Sequence, residues 1–168
     1  MVIKLMRLNM KKALNIIIGL AAIAMTMISC QKEELTKGSV DASIVGEWHL
    51  NEVTVEGTAV MEGIDVYLCI NSDCTFELYQ KSGTQSVRYD KYTGTCRTED
   101  GILTGVYSNG KPWGGKYVFK ATADVLTLKT TNLLEEQKYQ KTLIPSEVKE
   151  NANLALTKAT GAESTPIL

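Results

Sequence analysis

The stretch "DVYLCINSDCTFELY", residues 65–79, alternates apolar and polar side chains on both sides of a polar turn. Alternation at every second residue is typical of a β-strand with one buried face. With a three-residue loop at residues 71–73, residue 70 faces residue 74 across the predicted hairpin. One face of this hairpin then carries the side chains of Val66, Leu68, Ile70, Cys74, Phe76 and Leu78. Because a one-residue slip would turn every one of them over, the pattern predicts an antiparallel pair with this face in the core.

Similar short segments recur from residue 44 onward, separated by Gly, Asn, Asp and Ser. Before Pro145 there is no long segment of helical period, so crossover helices for a parallel sheet are missing. The sequence therefore predicts an all-β fold: an eight-stranded antiparallel up-and-down β-barrel over residues 44–148, with a short C-terminal helix or tail. Ser146 is a candidate N-cap for this helix. Residues 149–168 are the predicted C-terminal tail, which we expect to be loosely packed over residues 157–168. The predicted strands are residues 45–55, 64–70, 74–80, 86–96, 101–108, 113–121, 124–131 and 136–143.

The first 29 residues have the layout of a bacterial secretory signal peptide. Lys11 and Lys12 precede the uncharged run "LNIIIGLAAIAMTMIS" at residues 14–29. This run is shorter than the roughly 20 apolar residues that a membrane-spanning helix needs. The pattern predicts that residues 1–29 are removed, whether translation starts at Met1 or at Met10.

The four residues "MISC", 27–30, look like a lipobox, in which a peptidase cuts before a cysteine that receives a diacylglycerol. Cys30 is then the lipidation site, and the polar residues 30–43 are a tether to the barrel. Acyl chains hold a protein on a membrane without a transmembrane helix, so the membrane is the expected partner of Cys30. The alternative is an ordinary secreted protein in which Cys30 is only the first mature cysteine.

The charge of the chain argues against a nucleic-acid partner. Removal of residues 1–29 leaves 139 of the 168 residues and takes away four of the 18 Lys and Arg but no Asp or Glu, so the net charge changes from −1 to −5. Phosphate backbones are bound by basic patches, and no run of Lys or Arg remains after processing.

The motif "GEW", residues 46–48, opens the first predicted strand, and "CINSDCTFELY", "YTGTCRTEDGILTGVYSNGKPWGGKYVF" and "DVLTLKT" follow in order. Together with the lipobox they resemble the lipocalin-like (calycin-type) lipoproteins of Bacteroidetes-type bacteria. The resemblance implies a binding protein in which Trp48, beside Gly46, plugs one end of the barrel, with Lys138 or Lys141 packed over the indole. "QKEE", residues 31–34, resembles the export signal of such lipoproteins, which implies an outer-membrane lipoprotein exposed on the cell surface.

Three cysteines, Cys69, Cys74 and Cys96, remain after lipidation of Cys30, and the predicted meander brings all three to the same end of the barrel. Outside the cytoplasm one disulfide is expected, and the adjacent strands favour a bond between Cys74 and Cys96. Three unpaired buried thiols are the first alternative. A zinc site made of the cysteines and His49, the single histidine, is the second.

The aromatic side chains Tyr107, Trp113, Tyr117 and Phe119 gather around one predicted turn and are candidates for binding an apolar ligand. The alternative is that they are ordinary side chains of the hydrophobic core.

No residue pattern indicates a catalytic site, a metal site or a cofactor. We therefore expect a non-enzymatic domain that binds a small apolar ligand or a protein partner. The alternatives are a docking or inhibitor lipoprotein with a filled barrel, and a cell-envelope hydrolase or isomerase.

Overall fold

A computed structural model describes residues 38–82, 88–155 and 165–168. The predicted signal peptide, residues 1–29, and the predicted lipidation site, Cys30, lie outside the described residues. The strands are β1 (Gly46–Val55), β2 (Thr58–Ala59), β3 (Ile64–Ile70), β4 (Thr75–Ser82), β5 (Asp90–Glu99), β6 (Ile102–Tyr107), β7 (Tyr117–Ala121), β8 (Val125–Thr130), β9 (Glu135–Lys141) and β10 (Asn153–Leu154). A 3₁₀ helix spans Ala42–Ile44, and α1 spans Ser146–Asn151.

Eight of the strands form a closed ring in the order β1-β3-β4-β5-β6-β7-β8-β9, and β9 pairs again with β1. Every neighbouring pair in the ring is antiparallel. The short β2 pairs with β1, and β10 runs parallel to the start of β5. This arrangement confirms the predicted eight-stranded antiparallel up-and-down barrel with a short helix near the C-terminus. We call the end with Gly46 and Lys141 the base, and the end with Tyr107 and Tyr117 the mouth.

The β3–β4 hairpin forms as predicted, but its register differs by two residues. Ile70 pairs with Phe76 instead of Cys74. The three-residue loop is residues 72–74, and the residues flanking it are joined by a backbone hydrogen bond of 2.9 Å. Cys74 has a left-handed φ of 71°, as expected for the last residue of such a loop. Because a shift of two keeps side-chain parity, the other five predicted core residues of the hairpin remain buried, whereas Cys74 leaves their face for the turn.

The connection between β6 and β7 differs from the prediction of a strand at residues 113–121. β7 begins only at Tyr117. The preceding loop folds back on β6, where the Tyr107 N–H donates to the Lys111 carbonyl and the Trp113 N–H donates to the Gly105 carbonyl. Trp113 therefore enters the core from a loop.

Helix α1 packs on the outside of the barrel. It follows Pro145 directly, and its Val148 lies with Ile144 against Tyr79, an outward-facing residue of β4 that is only 1% exposed. The Glu47 carboxylate joins the helix to β1, because it accepts hydrogen bonds from the Ile144 N–H at 2.6 Å and from Lys149 Nζ at 2.7 Å.

Two predicted peripheral segments contact the barrel where the structure describes them. In the predicted tether, residues 38–43, the Ser39 carbonyl accepts a hydrogen bond from the Thr98 N–H of β5. In the segment predicted as a tail, residues 149–168, β10 joins the sheet and residues 165–168 pack in the mouth, where Leu168 is 2% exposed. Residues 165–168 differ from the loosely packed tail predicted over residues 157–168, because the side chains of Ile167 and Leu168 join the main core.

Candidate functional site

Trp48 lies at the base and is fully buried. Its Nε1–H donates to the Ile44 carbonyl at the end of the 3₁₀ helix, at 2.9 Å. Lys141 Nζ lies 4.3 Å from the indole ring centre and donates to the Val45 carbonyl. Gly46 has a φ of 140°, a backbone conformation that favours glycine, and the absence of a Cβ there leaves space for the end of the Lys141 side chain. The structure thus places the lysine, the indole and the 3₁₀ helix in one stack across the base.

Lys141, and not Lys138, is the cation that packs over the indole. Lys138 lies on the outer face of β9, where its Nζ is 3.2 Å from a carboxylate oxygen of Glu52. The two lysines are three positions apart on β9. Because side chains alternate between the faces of a strand, Lys138 and Lys141 point to opposite faces.

The mouth contains an aromatic cluster built from Tyr107, Trp113, Tyr117 and Phe76. Phe76 lies edge-on to both Tyr107 and Trp113, at ring-centre distances of 5.6 and 5.0 Å. Trp113 lies edge-on to Tyr117 at 6.2 Å. Phe119, the remaining candidate, is partly buried against the same core further along β7. All four candidates therefore face the barrel interior, where the tyrosines and the tryptophan pack as core side chains.

Gly105 makes room for Trp113. A Cβ on Gly105 would lie 2.2 to 2.6 Å from three carbons of the indole. The indole therefore lies flat on the backbone of β6. Within the described residues its buried Nε1–H has no hydrogen-bond partner, in contrast with the indole of Trp48.

Two glutamines, Gln80 of β4 and Gln137 of β9, are buried at the mouth, at 5% and 0% exposure. Gln80 contacts the backbone of residues 165–168 with both ends of its amide: Nε2 donates to the Thr165 carbonyl at 3.0 Å, and Oε1 accepts from the Ile167 N–H at 2.8 Å. Gln137 Nε2 donates to the Ile167 carbonyl at 3.3 Å. The buried amides are thus hydrogen-bonded to a segment far away in sequence, as buried polar groups generally must be.

Further polar groups hold Gln137 and the end of the segment. The Tyr139 hydroxyl donates to Gln137 Oε1, and Glu135 accepts from Gln137 Nε2, both at 2.5 Å. The Tyr107 hydroxyl donates to the Leu168 backbone oxygen at 2.6 Å. Burial raises the pKa of the Tyr107 hydroxyl, which keeps it protonated as a donor.

Sequence reasoning missed both glutamines. The available signal was the alternation of side chains along a strand. Gln80 follows the inward Phe76 and Leu78 at every second position, and Gln137 is two residues before the inward Tyr139. A polar side chain at an inward position of a strand must find a partner, but the sequence does not say which one.

Cys74 and Cys96 lie beside each other where β4 and β5 meet, as the meander predicted. The Cys96 N–H donates to the Cys74 carbonyl at 2.8 Å. Both thiols are free in the structure: Cys74 Sγ donates to the Gly38 carbonyl, and Cys96 is buried. Burial, with a smaller contribution from Cys74, raises the pKa of Cys96 to about 12. The disulfide between these residues stays a prediction.

His49 lies on the outer face in a small polar cluster. Its Nε2 is 2.9 Å from Asp65 Oδ1, and its ring stacks on Tyr67 at 4.4 Å. The Tyr89 hydroxyl donates to the other oxygen of Asp65. This network ties β1 and β3 to the start of β5. His49 and the buried Cys96 lie on opposite faces of the barrel wall, so the structure does not assemble the zinc site considered as an alternative.

The outer face of β4, β5 and β6 has a groove of about 470 Å³ between Asn71 and Ser108.

In the described parts of the chain, no group of three His, Cys, Asp or Glu side chains is placed to hold a metal ion. No helix of those parts has the length and apolarity to span a membrane.

Two solved structures are similar to this chain at low sequence identity. The lipoprotein YedD from Klebsiella pneumoniae subsp. pneumoniae is 11% identical with a TM-score of 0.46, covering 70% of this chain and 88% of its own. A DUF4847 family protein from Bacteroides vulgatus is 11% identical with a TM-score of 0.43, covering 62% of this chain and 97% of its own. No protein-family model matches the sequence, and no curated protein matches it.

Proposed function

We propose that the chain is a lipid-anchored, extracytoplasmic β-barrel domain without enzymatic activity, and that it binds an apolar ligand at the mouth. The observation that carries the binding proposal is the composition of the mouth. Aromatic rings and two buried amides converge there, which is the mixture of apolar lining and few fixed polar groups that is typical of ligand sites.

The anchoring proposal rests on the sequence motif at residues 27–30. The signal-like segment, the small residue before Cys30 and the polar residues after it support acylation of the Cys30 thiol. The resemblance to surface lipoproteins of Bacteroidetes-type bacteria extends this proposal to the outer membrane and the cell surface.

The anchor is tested with a Cys30→Ser variant expressed in a Gram-negative host. We expect the wild-type protein in the membrane fraction, with the mass of the acylated chain beginning at Cys30, and the variant without the acyl mass. A Cys69→Ser variant is the matched control and should stay acylated. A wild-type protein without acyl groups would contradict the anchor.

A second function, docking on another protein with a filled barrel, is favoured by one observation. The interior is packed with side chains such as Leu68 and Leu126, both at 0% exposure, and residues 165–168 occupy the mouth. Native mass spectrometry of the protein purified from cells separates the two functions. A co-purifying small apolar molecule supports ligand binding, whereas a bare chain that captures no such molecule from a lipid extract supports docking.

Non-enzymatic function is supported by the position of the single histidine. His49 is on the outer face, hydrogen-bonded to Asp65, and is separated by the barrel wall from the aromatic cluster of the mouth. A catalytic base for a reaction in the mouth would have to face the interior.

A further inference from the structure

We propose that the mouth of the barrel is a binding site for an extended peptide segment that ends in two apolar side chains, and that residues 165–168 are its resident occupant. This inference deepens the proposed binding function and rests on it.

The contacts to residues 165–168 are directed at the peptide backbone. Gln80 pairs with the Thr165 carbonyl and the Ile167 N–H, which flank Pro166. In an extended chain these two groups point to the same side, so one primary amide can satisfy both, as a neighbouring β-strand would. Pro166 has no N–H of its own, so it fits between the two contacts without leaving a donor unpaired.

The contacts continue along the segment on the other side of the mouth. The Ile167 carbonyl accepts from Gln137, and the Leu168 backbone oxygen accepts from Tyr107. The barrel therefore meets the segment at one backbone N–H and three backbone oxygens, through three side chains that come from β4, β6 and β9. Such contacts recognise an extended backbone whatever its side chains are.

Side-chain preference arises at the last two positions. Leu168 is 2% exposed and Ile167 is partly buried, and both belong to the main core. The groups that contact the backbone are neutral amides and a phenol, and the nearby Glu135 already accepts from Gln137. An apolar pair at these positions is favoured, and a carboxylate side chain there would be buried near Glu135 without compensation.

Occupancy of the mouth is tested first in the full chain by hydrogen–deuterium exchange at the Ile167 amide. We expect this amide to be protected in the wild type and to exchange at least tenfold faster in Tyr107→Phe, which removes only the hydroxyl that binds Leu168. Tyr117→Phe is the matched control: it deletes a hydroxyl from the same cluster that makes no hydrogen bond to residues 165–168 in the described structure. Exchange of Ile167 at the rate of an unstructured peptide in the wild type would overturn the proposal.

Recognition of an external peptide is tested by calorimetry with the synthetic peptide GAESTPIL, residues 161–168. We expect it to bind a chain ending at residue 164, and to bind the full chain at least tenfold more weakly, because the tethered segment competes at an effective concentration of about 1 mM. A peptide with Ile167→Asp and Leu168→Asp should not bind. Equal affinity for both chains would overturn the proposal, as would no binding to a shortened chain with unchanged far-ultraviolet circular dichroism.

A further measurement decides the question if the shortened chain does not fold. Excess GAESTPIL added to the full chain should accelerate exchange of the chain's own Ile167 amide, whereas no change at millimolar peptide would overturn the proposal. Failure here is distinguishable from failure of the proposed function. Acylation at Cys30 and a co-purifying small molecule are read by mass spectrometry, and neither depends on peptide binding.

Discussion

The two tryptophans are expected to respond differently to the same substitution, Trp to Phe. Both indoles are buried, Trp48 at 0% and Trp113 at 5% exposure, so both variants lose a similar amount of apolar contact. They differ in the indole N–H. Trp48 donates to the Ile44 carbonyl, whereas the N–H of Trp113 is buried without a partner in the described residues.

The expected difference follows from these hydrogen bonds. Trp48→Phe leaves the Ile44 carbonyl without its donor, which costs about 1–3 kcal/mol, and weakens the contact with Lys141 by about 0.5 kcal/mol. Trp113→Phe instead removes a buried donor that is unpaired in the native state, which returns about 1 kcal/mol or more. We therefore expect Trp48→Phe to lower the free energy of unfolding by about 2.5–4.5 kcal/mol more than Trp113→Phe does.

The measurement is urea unfolding of the full chain followed by far-ultraviolet circular dichroism, because tryptophan fluorescence changes with the substitution itself. Equal m values in all chains are required before midpoints are compared. Trp48→Ala serves as the upper limit, with a loss of about 3–5 kcal/mol. The reasoning is refuted if the two phenylalanine variants agree within about 0.5 kcal/mol, or if Trp48→Ala costs less than about 1 kcal/mol.

Two other substitutions test the outer helix and the mouth. Burial raises the pKa of Glu47, but the hydrogen bonds from the lysine of α1 and from the backbone outweigh it and hold the pKa below its ordinary value. The stabilisation is therefore present above the ordinary carboxyl pKa and is lost as the pH falls through the lowered one. In urea unfolding, Glu47→Gln should cost about 1 kcal/mol at pH 7, and progressively less as the pH is lowered below the ordinary carboxyl pKa. A pH-independent loss would contradict this sign. Gly105→Ala places a methyl group against Trp113 and should cost about 1–3 kcal/mol in thermal unfolding, while Gly114→Ala, with its nearest neighbour at 3.9 Å, should cost less than about 0.5 kcal/mol. Equal melting temperatures of the two variants would contradict the close packing of the indole.

The strands were predictable because the signal that defines them is local. Apolar side chains at every second position in segments such as residues 64–70 require one buried face. Because the turns are short, successive strands pair as antiparallel neighbours. The eight ring strands follow from that alternation, whereas the inward position of Trp48 was implied by the resemblance of residues 46–48 to the lipocalin-like pattern. The hairpin loop was harder, since a shift of two residues keeps the same face buried and only the left-handed backbone of Cys74 distinguishes the two registers.

By itself, the sequence determined the period-two pattern, the barrel that this pattern implies and the inward face of the β3–β4 hairpin, because neighbouring residues carry that information. The tertiary structure alone decided that Trp113 folds back onto Gly105, and that Gln80 and Gln137 meet residues 165–168. Those contacts complete hydrogen bonds and fill space between segments up to 87 positions apart. A glutamine at an inward strand position shows that a hydrogen-bond partner is needed. Which backbone group is that partner depends on the closed ring, because the ring brings the two groups to within about 3 Å.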